Sequence, residues 1–155
     1  MRLKFLWPGR TKNPELRALV DFYAGRIGTL ASVEIAETRE ARGIDERYRD
    51  KIREMEAQGL EKHLKGVYSI CLLDGGREMT SGELARFLSA RAEDAGKPLV
   101  FVVGGFLGLA SRVAEKADLR LSLSRLTFSH ELCRVVLLEQ VYRALTLIKG
   151  RHYAK

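Results

Sequence analysis

The chain has 155 residues, 46% hydrophobic and 30% charged, a composition of globular domains rather than of disordered or membrane-embedded chains. No apolar run approaches the roughly 20 residues that span a bilayer, and the opening RLKFLW is too short for a signal-peptide core, so a cytoplasmic single domain over 1–155 is expected. With 27 Lys/Arg against 20 Asp/Glu the formal net charge is +7, which directs attention to a polyanionic partner.

Residues 2–7 alternate with period two and read as a strand closed by Pro8-Gly9. Asn13-Pro14 supplies a cap and a first-turn proline for a helix carrying Leu16, Leu19, Val20 and Tyr23, which Gly28 stops. Residues 32–35 form a second strand. Ile44, Tyr48, Ile52 and Met55 make a narrow stripe on a highly charged helix laid across the surface. Residues 67–74 (VYSICLLD) are continuously apolar, as in a strand covered on both faces, and Gly75-Gly76 turns the chain after them. Thr80-Ser81-Gly82-Glu83 has capping-box spacing ahead of a helix with Leu84, Phe87 and Leu88 on one face. Gly96 and Pro98 end that helix. Residues 99–103 (LVFVV) form another buried strand, 110–116 a short helix, 119–123 the last strand, and about 131–148 the closing helix.

Five rounds of strand and helix predict an α/β domain with a largely parallel sheet flanked by helices. In such sheets ligands sit beyond the carboxyl ends of the strands, which selects the loops after Asp74, Val103 and Leu123. The turn at Gly104, Gly105 and Gly108 allows close backbone approach. It lacks the spacing and the later acid of a dinucleotide fingerprint, which counts against a nucleotide-dependent oxidoreductase, and the chain has no P-loop lysine and no nucleophile elbow. Ser122, Ser124, Thr127 and Ser129 crowd the loop before the last helix; Ser129 or Thr127 serves as its cap, and so polar a loop suits a neutral heterocycle with a zwitterion. Cys71 and Cys133 sit in apolar runs as free thiols, and neither they nor the three scattered histidines have metal-site spacing, so no metal is expected.

The last segment, 119–155, carries seven basic residues (Arg120, Arg125, Arg134, Arg143, Lys149, Arg151, Lys155) against Glu131 and Glu139, +5 of the total +7, which makes nucleic acid the first candidate partner. Its helix is apolar over an arc too wide for one covered face, so a second copy of the chain is expected against the other side, with Val141 in that interface. Glu139 and Arg143 stand at i,i+4 and can pair with each other. His130 precedes the helix, and Tyr153 stands in a tail that would fray unless tied down.

The strings VVGGFLGL (102–109) and LSLSRLTFSHELCRVVLLEQVYRA (121–144), with LLDGGREMTSGELA (72–85) and the tail near Gly150, resemble the ribosomal RNA large subunit methyltransferase H family of small SPOUT-class enzymes. The resemblance covers the whole chain. It implies a C-terminal trefoil knot, S-adenosylmethionine as cofactor, and 23S rRNA of the assembled ribosome as substrate, methylated at N3 of a pseudouridine by a homodimer. Carried over by position, cofactor contacts fall on Leu73, Gly104, Leu123, Ser124, Arg125, Leu126, Thr127 and Phe128. Catalytic candidates are His130, Arg143 and Tyr153; Arg134, Lys149 and Arg151 would bind substrate. A non-catalytic ribosome-binding factor with the same fold is the alternative. One departure stands in the tail: where the family places a histidine after the tyrosine, this chain has Ala154, with His152 on the other side of Tyr153.

Overall fold

The structure, a computed structural model, describes residues 1–94 and 96–153. Five strands, β1 (Arg2–Pro8), β2 (Ser32–Thr38), β3 (Tyr68–Glu78), β4 (Leu99–Val102) and β5 (Leu119–Ser122), form one sheet in the order β2-β1-β4-β3-β5. Every pairing is parallel. The helices are α1 (Pro14–Gly28), α2 (Arg49–Glu61), α3 (Ser81–Glu93), α4 (Ser111–Glu115) and α5 (His130–Ile148).

The helices divide between the two faces, and the side-chain alternation of the strands shows how. Phe5, Trp7, Ile70, Phe101 and Leu121 point to the layer of α1, α3 and α5, where they meet Val20, Leu88, Leu138 and Val141. Leu6, Cys71, Val100 and Val102 point the other way, onto Ala57 and Leu60 of α2 and Val113 of α4. Covered on both faces, β4 is buried at all four residues, as its unbroken apolar run predicts. The opening strand is less regular than its sequence suggests. Its alternation holds only at residues 2–4, and Phe5, Leu6 and Trp7 are all fully buried, because β1 lies inside the sheet between β2 and β4.

Caps fall where the sequence puts them. The Asn13 side chain accepts from the backbone N–H of Glu15 and Leu16, and Thr80 and Glu83 complete the capping box of α3. Ser129 caps α5, accepting from Leu132 N at 3.3 Å.

Three expectations need correction. Ile44 and Tyr48 precede α2, whose buried residues are Glu56, Ala57 and Leu60, while Met55 is exposed; the stripe read from the sequence is not the inner face. Gly75-Gly76 does not end a strand. Leu121 of β5 pairs with both Leu72 and Arg77, so residues 73–76 bulge out of β3 and the strand resumes beyond them. Most of the wide apolar arc of α5 is covered within the chain, because α5 packs on the sheet with α1 and α3 in the same layer, while Leu132 and Leu147 stay exposed. Val141 is fully buried there, so a charge at this position would disrupt the protomer's own core, not an interface.

Candidate functional site

The carboxyl ends of β3, β4 and β5 open into a cavity of about 690 Å³, walled by the bulge of β3, the glycine loop 104–109 and the loop 123–129. The three loops selected from the sequence therefore converge. Leu73, Gly104, Leu123, Ser124, Leu126, Thr127 and Phe128 line the cavity, and His130 closes it at the start of α5. Arg125 does not line it; its side chain is 92% exposed and turns toward Glu78, 3.8 Å away.

The loop hydroxyls mainly hold the loops in place. Ser122 Oγ donates to Ser124 O at 2.8 Å, and Ser124 Oγ accepts from Leu126 N at 2.9 Å. Thr127 Oγ1 donates to Asp74 Oδ2 at 3.0 Å, joining two walls of the cavity. Close backbone contact sets the shape of the glycine loop: a Cβ built at Gly104 would lie 2.6 Å from Gly108 C and 2.9 Å from Leu109 N. Arg53 fixes the same loop from α2, its Nε donating to Leu107 O at 2.7 Å.

Asp74, Arg49, Arg53 and Phe106 line the cavity too, and none was singled out from the sequence as a site residue. The arginines belong to α2, remote in sequence, and only the packing of α2 against the outer face brings them to the rim. Cys133 also faces the cavity, but burial pushes its thiol up to about 11, so it stays protonated at neutral pH and is no nucleophile.

His130 is half-buried, and burial first, then the Arg134 charge, lower its pKa below the usual imidazole value. It is neutral at pH 7 and able to accept a proton.

The remaining candidates lie elsewhere. Arg134 is fully buried, with Nη1 donating to Thr11 Oγ1 at 3.0 Å, Nη2 to Pro8 O at 2.9 Å, and its guanidinium 4.9 Å from the Trp7 ring centroid. Burial pushes its pKa down to about 10, still a cation at neutral pH. The sequence suggested an RNA contact; the structure makes Arg134 a tie between α5 and the end of β1.

Arg143 pairs with Glu139 at 2.7 Å and covers the Tyr153 ring at 4.5 Å. Tyr153 also packs edge-on against Tyr142, with ring centroids 5.0 Å apart. Burial and the neighbouring Tyr23 push its hydroxyl up to about 12, so in this arrangement it is a donor and not a base. Thirteen residues of helix separate Arg143 from His130, about 20 Å at 1.5 Å per residue. Within one protomer the three catalytic candidates thus form two separate groups. Lys149 and Arg151 are exposed at the end with Tyr153, away from the cavity, and Ala154 lies outside the described residues.

A parallel sheet with a loop-walled cavity at its carboxyl rim and a helix launched from that rim agrees with the comparisons. A family model described as "Predicted SPOUT methyltransferase" matches residues 1–154, and the chain belongs to that family. Among curated relatives, ribosomal RNA large subunit methyltransferase H of Geotalea daltonii is 43% identical over 154 residues, covering 99% of both chains. The protein of the same name from Geobacter metallireducens is 42% identical over 154 residues, covering 99% of this chain and 98% of its own. Among solved structures, a probable methyltransferase from Bordetella pertussis Tohama I superposes with a TM-score of 0.59 at 15% identity, covering 93% of this chain and 96% of its own, a likeness of fold. Among the described residues no helix is long and apolar enough to cross a membrane, and no group of three or more His, Cys, Asp or Glu could hold a metal ion.

Proposed function

We propose that the chain is an S-adenosylmethionine-dependent methyltransferase acting in the cytoplasm on 23S rRNA of the assembled ribosome, at N3 of a pseudouridine. The observation that carries this reading is the 690 Å³ cavity, where seven of the eight residues implied as cofactor contacts converge at the strand ends. The 43% identity to a relative bearing that enzyme's name supports the substrate.

The residues present fit the cofactor. The cavity lies within the roughly 300–1,000 Å³ of small-molecule sites. Leu73, Leu123, Leu126 and Phe128 offer apolar surface for an adenine ring. Asp74 and Arg49 provide opposite charges for the ammonium and carboxylate of the amino-acid portion. When bound, the cofactor supplies a methyl group activated by sulfonium charge.

The protein's own contribution is placement and proton handling. The loops hold the acceptor ring in line with the methyl group. Neutral His130, at the cavity edge, accepts the imide proton as N3 becomes nucleophilic. Exposed Arg125, Lys149 and Arg151 hold phosphates without reading bases.

The active unit in this reading is a homodimer. Phe22, half-exposed on α1, and Tyr142 on α5 share the Arg26 guanidinium, and Tyr153 extends that aromatic seam beside Arg143. In this reading the second copy places its own Arg143 and Tyr153 at the cavity that holds His130, joining groups that one protomer keeps about 20 Å apart. The trefoil knot belongs to the same proposal. It rests on the family resemblance and on the SPOUT family model that matches residues 1–154.

The test is transfer of a labelled methyl group to large subunits and to whole ribosomes lacking the modification, with calorimetric titration of S-adenosylmethionine alongside. Transfer to whole ribosomes at the pseudouridine is expected. Cofactor binding without transfer would favour a ribosome-binding factor that keeps the fold.

A further inference from the structure

A second cavity, of about 310 Å³, adjoins the first and shares Gly105, Phe106, Leu107 and His130 with it. Its character is different. Glu40, Glu46, Glu56 and Glu131 line it, against Lys12 and His130, in a chain whose formal net charge is +7. Most of this charge is already committed. Lys12 Nζ pairs with Glu40 at 2.8 Å, and Glu131 Oε1 accepts from the backbone N–H of Lys12 and Asn13.

Glu46 is exposed to solvent, which leaves Glu56 as the buried exception. Glu56 is 5% exposed, Oε2 accepts from Ala41 N at 3.3 Å, and the buried Oε1 has no partner among the described residues. A buried carboxylate oxygen without a donor is costly, and its persistence calls for a ligand that brings one. Arg134 does not serve: its two Nη groups donate to Thr11 and Pro8, and its Nε, also buried without a partner, makes no hydrogen bond to Glu56. The glycine loop is built to allow the carboxylate: a Cβ at Gly105 would lie 2.8 Å from Glu56 Oε1.

The lining narrows the occupant. Four carboxylates repel phosphate, so an anion does not belong there. No group of three or more His, Cys, Asp or Glu among the described residues is placed to hold a metal ion, which disfavours a coordinated cation. Ile44, Ile52 and Leu107 give apolar walls, and Phe106, 68% exposed, puts an aromatic ring at the boundary of the two cavities. What fits is a flat, neutral heterocycle with ring N–H donors, entering beside the methyl group.

We propose that this second cavity receives the acceptor base and that Glu56 selects it by accepting a hydrogen bond from a ring N–H. This deepens the proposed function and rests on it. Pseudouridine and uridine both carry the imide N–H that is replaced by methyl. Only pseudouridine keeps a second ring N–H, at N1, where uridine is attached to its sugar. An acceptor placed for N1–H lets His130 handle the N3 proton while Glu56 reads the base, so Glu56 is a specificity residue for the same reaction.

The experiment measures kcat/KM for methyl transfer to ribosomes carrying pseudouridine at the target and to ribosomes carrying uridine there. Wild type, Glu56→Gln and Glu56→Ala are compared, with S-adenosylmethionine affinity measured for each. Glu56 does not line the cofactor cavity, so cofactor affinity is expected to stay within about twofold, which also reports an intact fold. Wild type should prefer pseudouridine by tenfold or more. Glu56→Ala should erase most of that preference, and Glu56→Gln, which keeps an oxygen acceptor and the side-chain volume, should retain part of it. If Glu56→Ala does not fold, a preference in Glu56→Gln equal to that of wild type overturns the proposal. An undiminished preference in either folded variant, or none in wild type, also overturns it. Wild type that binds no cofactor or methylates neither substrate refutes the underlying function itself, a result distinct from these.

Discussion

The Arg134 guanidinium lies 4.9 Å from the centroid of the Trp7 ring while its two Nη groups donate to Pro8 O and Thr11 Oγ1. One fully buried side chain thereby locks the N-terminal end of α5 to the end of the first strand, one turn beyond His130.

Arg134→Met should therefore cost stability, because it leaves a buried carbonyl and a buried hydroxyl without donors. About 2–4 kcal/mol is expected from unsatisfied groups of this kind, measured by denaturant unfolding. Arg134→Lys should recover only part, since an ammonium cannot stack flat on Trp7 while reaching both oxygens. A fully stable Arg134→Met protein that had lost RNA affinity would restore Arg134 to the substrate surface.

Gly104→Val should abolish cofactor binding, and the reason lies in the loop. A side chain at 104 collides with the backbone of Gly108 and Leu109, so the wall of the cavity opens even before a ligand enters. Calorimetry should show affinity reduced a hundredfold or more, while circular dichroism keeps the helix and sheet signal. Even Gly104→Ala should weaken binding, since its Cβ alone meets that backbone.

His130 sets a pH dependence whose sign follows from its lowered pKa. The folded chain favours neutral imidazole, so the stabilisation is complete above the unfolded value of about 6.5. It is lost as pH falls through the lower folded value. His130→Gln should flatten the change in denaturation midpoint between pH 7 and pH 5. Parallel curves for the two proteins would show that the imidazole does not report burial. The same substitution should reduce methyl transfer by roughly 10²–10⁴-fold, the usual contribution of a positioned base.

In the proposed homodimer, the separation of His130 from Arg143 and Tyr153 predicts complementation between subunits. His130→Gln and Tyr153→Ala proteins, each weakly active alone, should regain about a quarter of wild-type turnover when mixed and allowed to exchange, because mixed dimers hold one intact pair. No recovery despite demonstrated exchange would place both residues in the same half-site.

Val141→Asp should unfold the protomer rather than release a folded monomer. The side chain is fully enclosed between α5 and the sheet, and a carboxylate there has no partner. Loss of the cooperative thermal transition is expected, and a folded monomer by light scattering would contradict it.

Several of these residues show why some features were readable in advance. Capping residues act within one turn, so Asn13, Thr80 and Glu83 announced their helices from local chemistry alone. Buried strands declare themselves by unbroken apolar runs, as LVFV does. Burial alone does not name the neighbour that causes it. Val141 reads as an interface residue because sequence does not reveal that α1 and α3 share the layer of α5, and Arg134 reads as an RNA contact because a cation's depth is a tertiary property. Glu56 was unremarkable on a charged helix until the fold placed it under Gly105.

The sequence by itself determined the alternation of strands and helices, the three rim loops and, through its motifs, the family, because periodicity, capping and glycine placement are written residue by residue. Only the tertiary structure decided which charges face a cavity and which are sealed in the core. It also split His130 from Tyr153 and joined Glu56 to the glycine loop, because distances between residues far apart in sequence are fixed by the packing of layers and not by local preference.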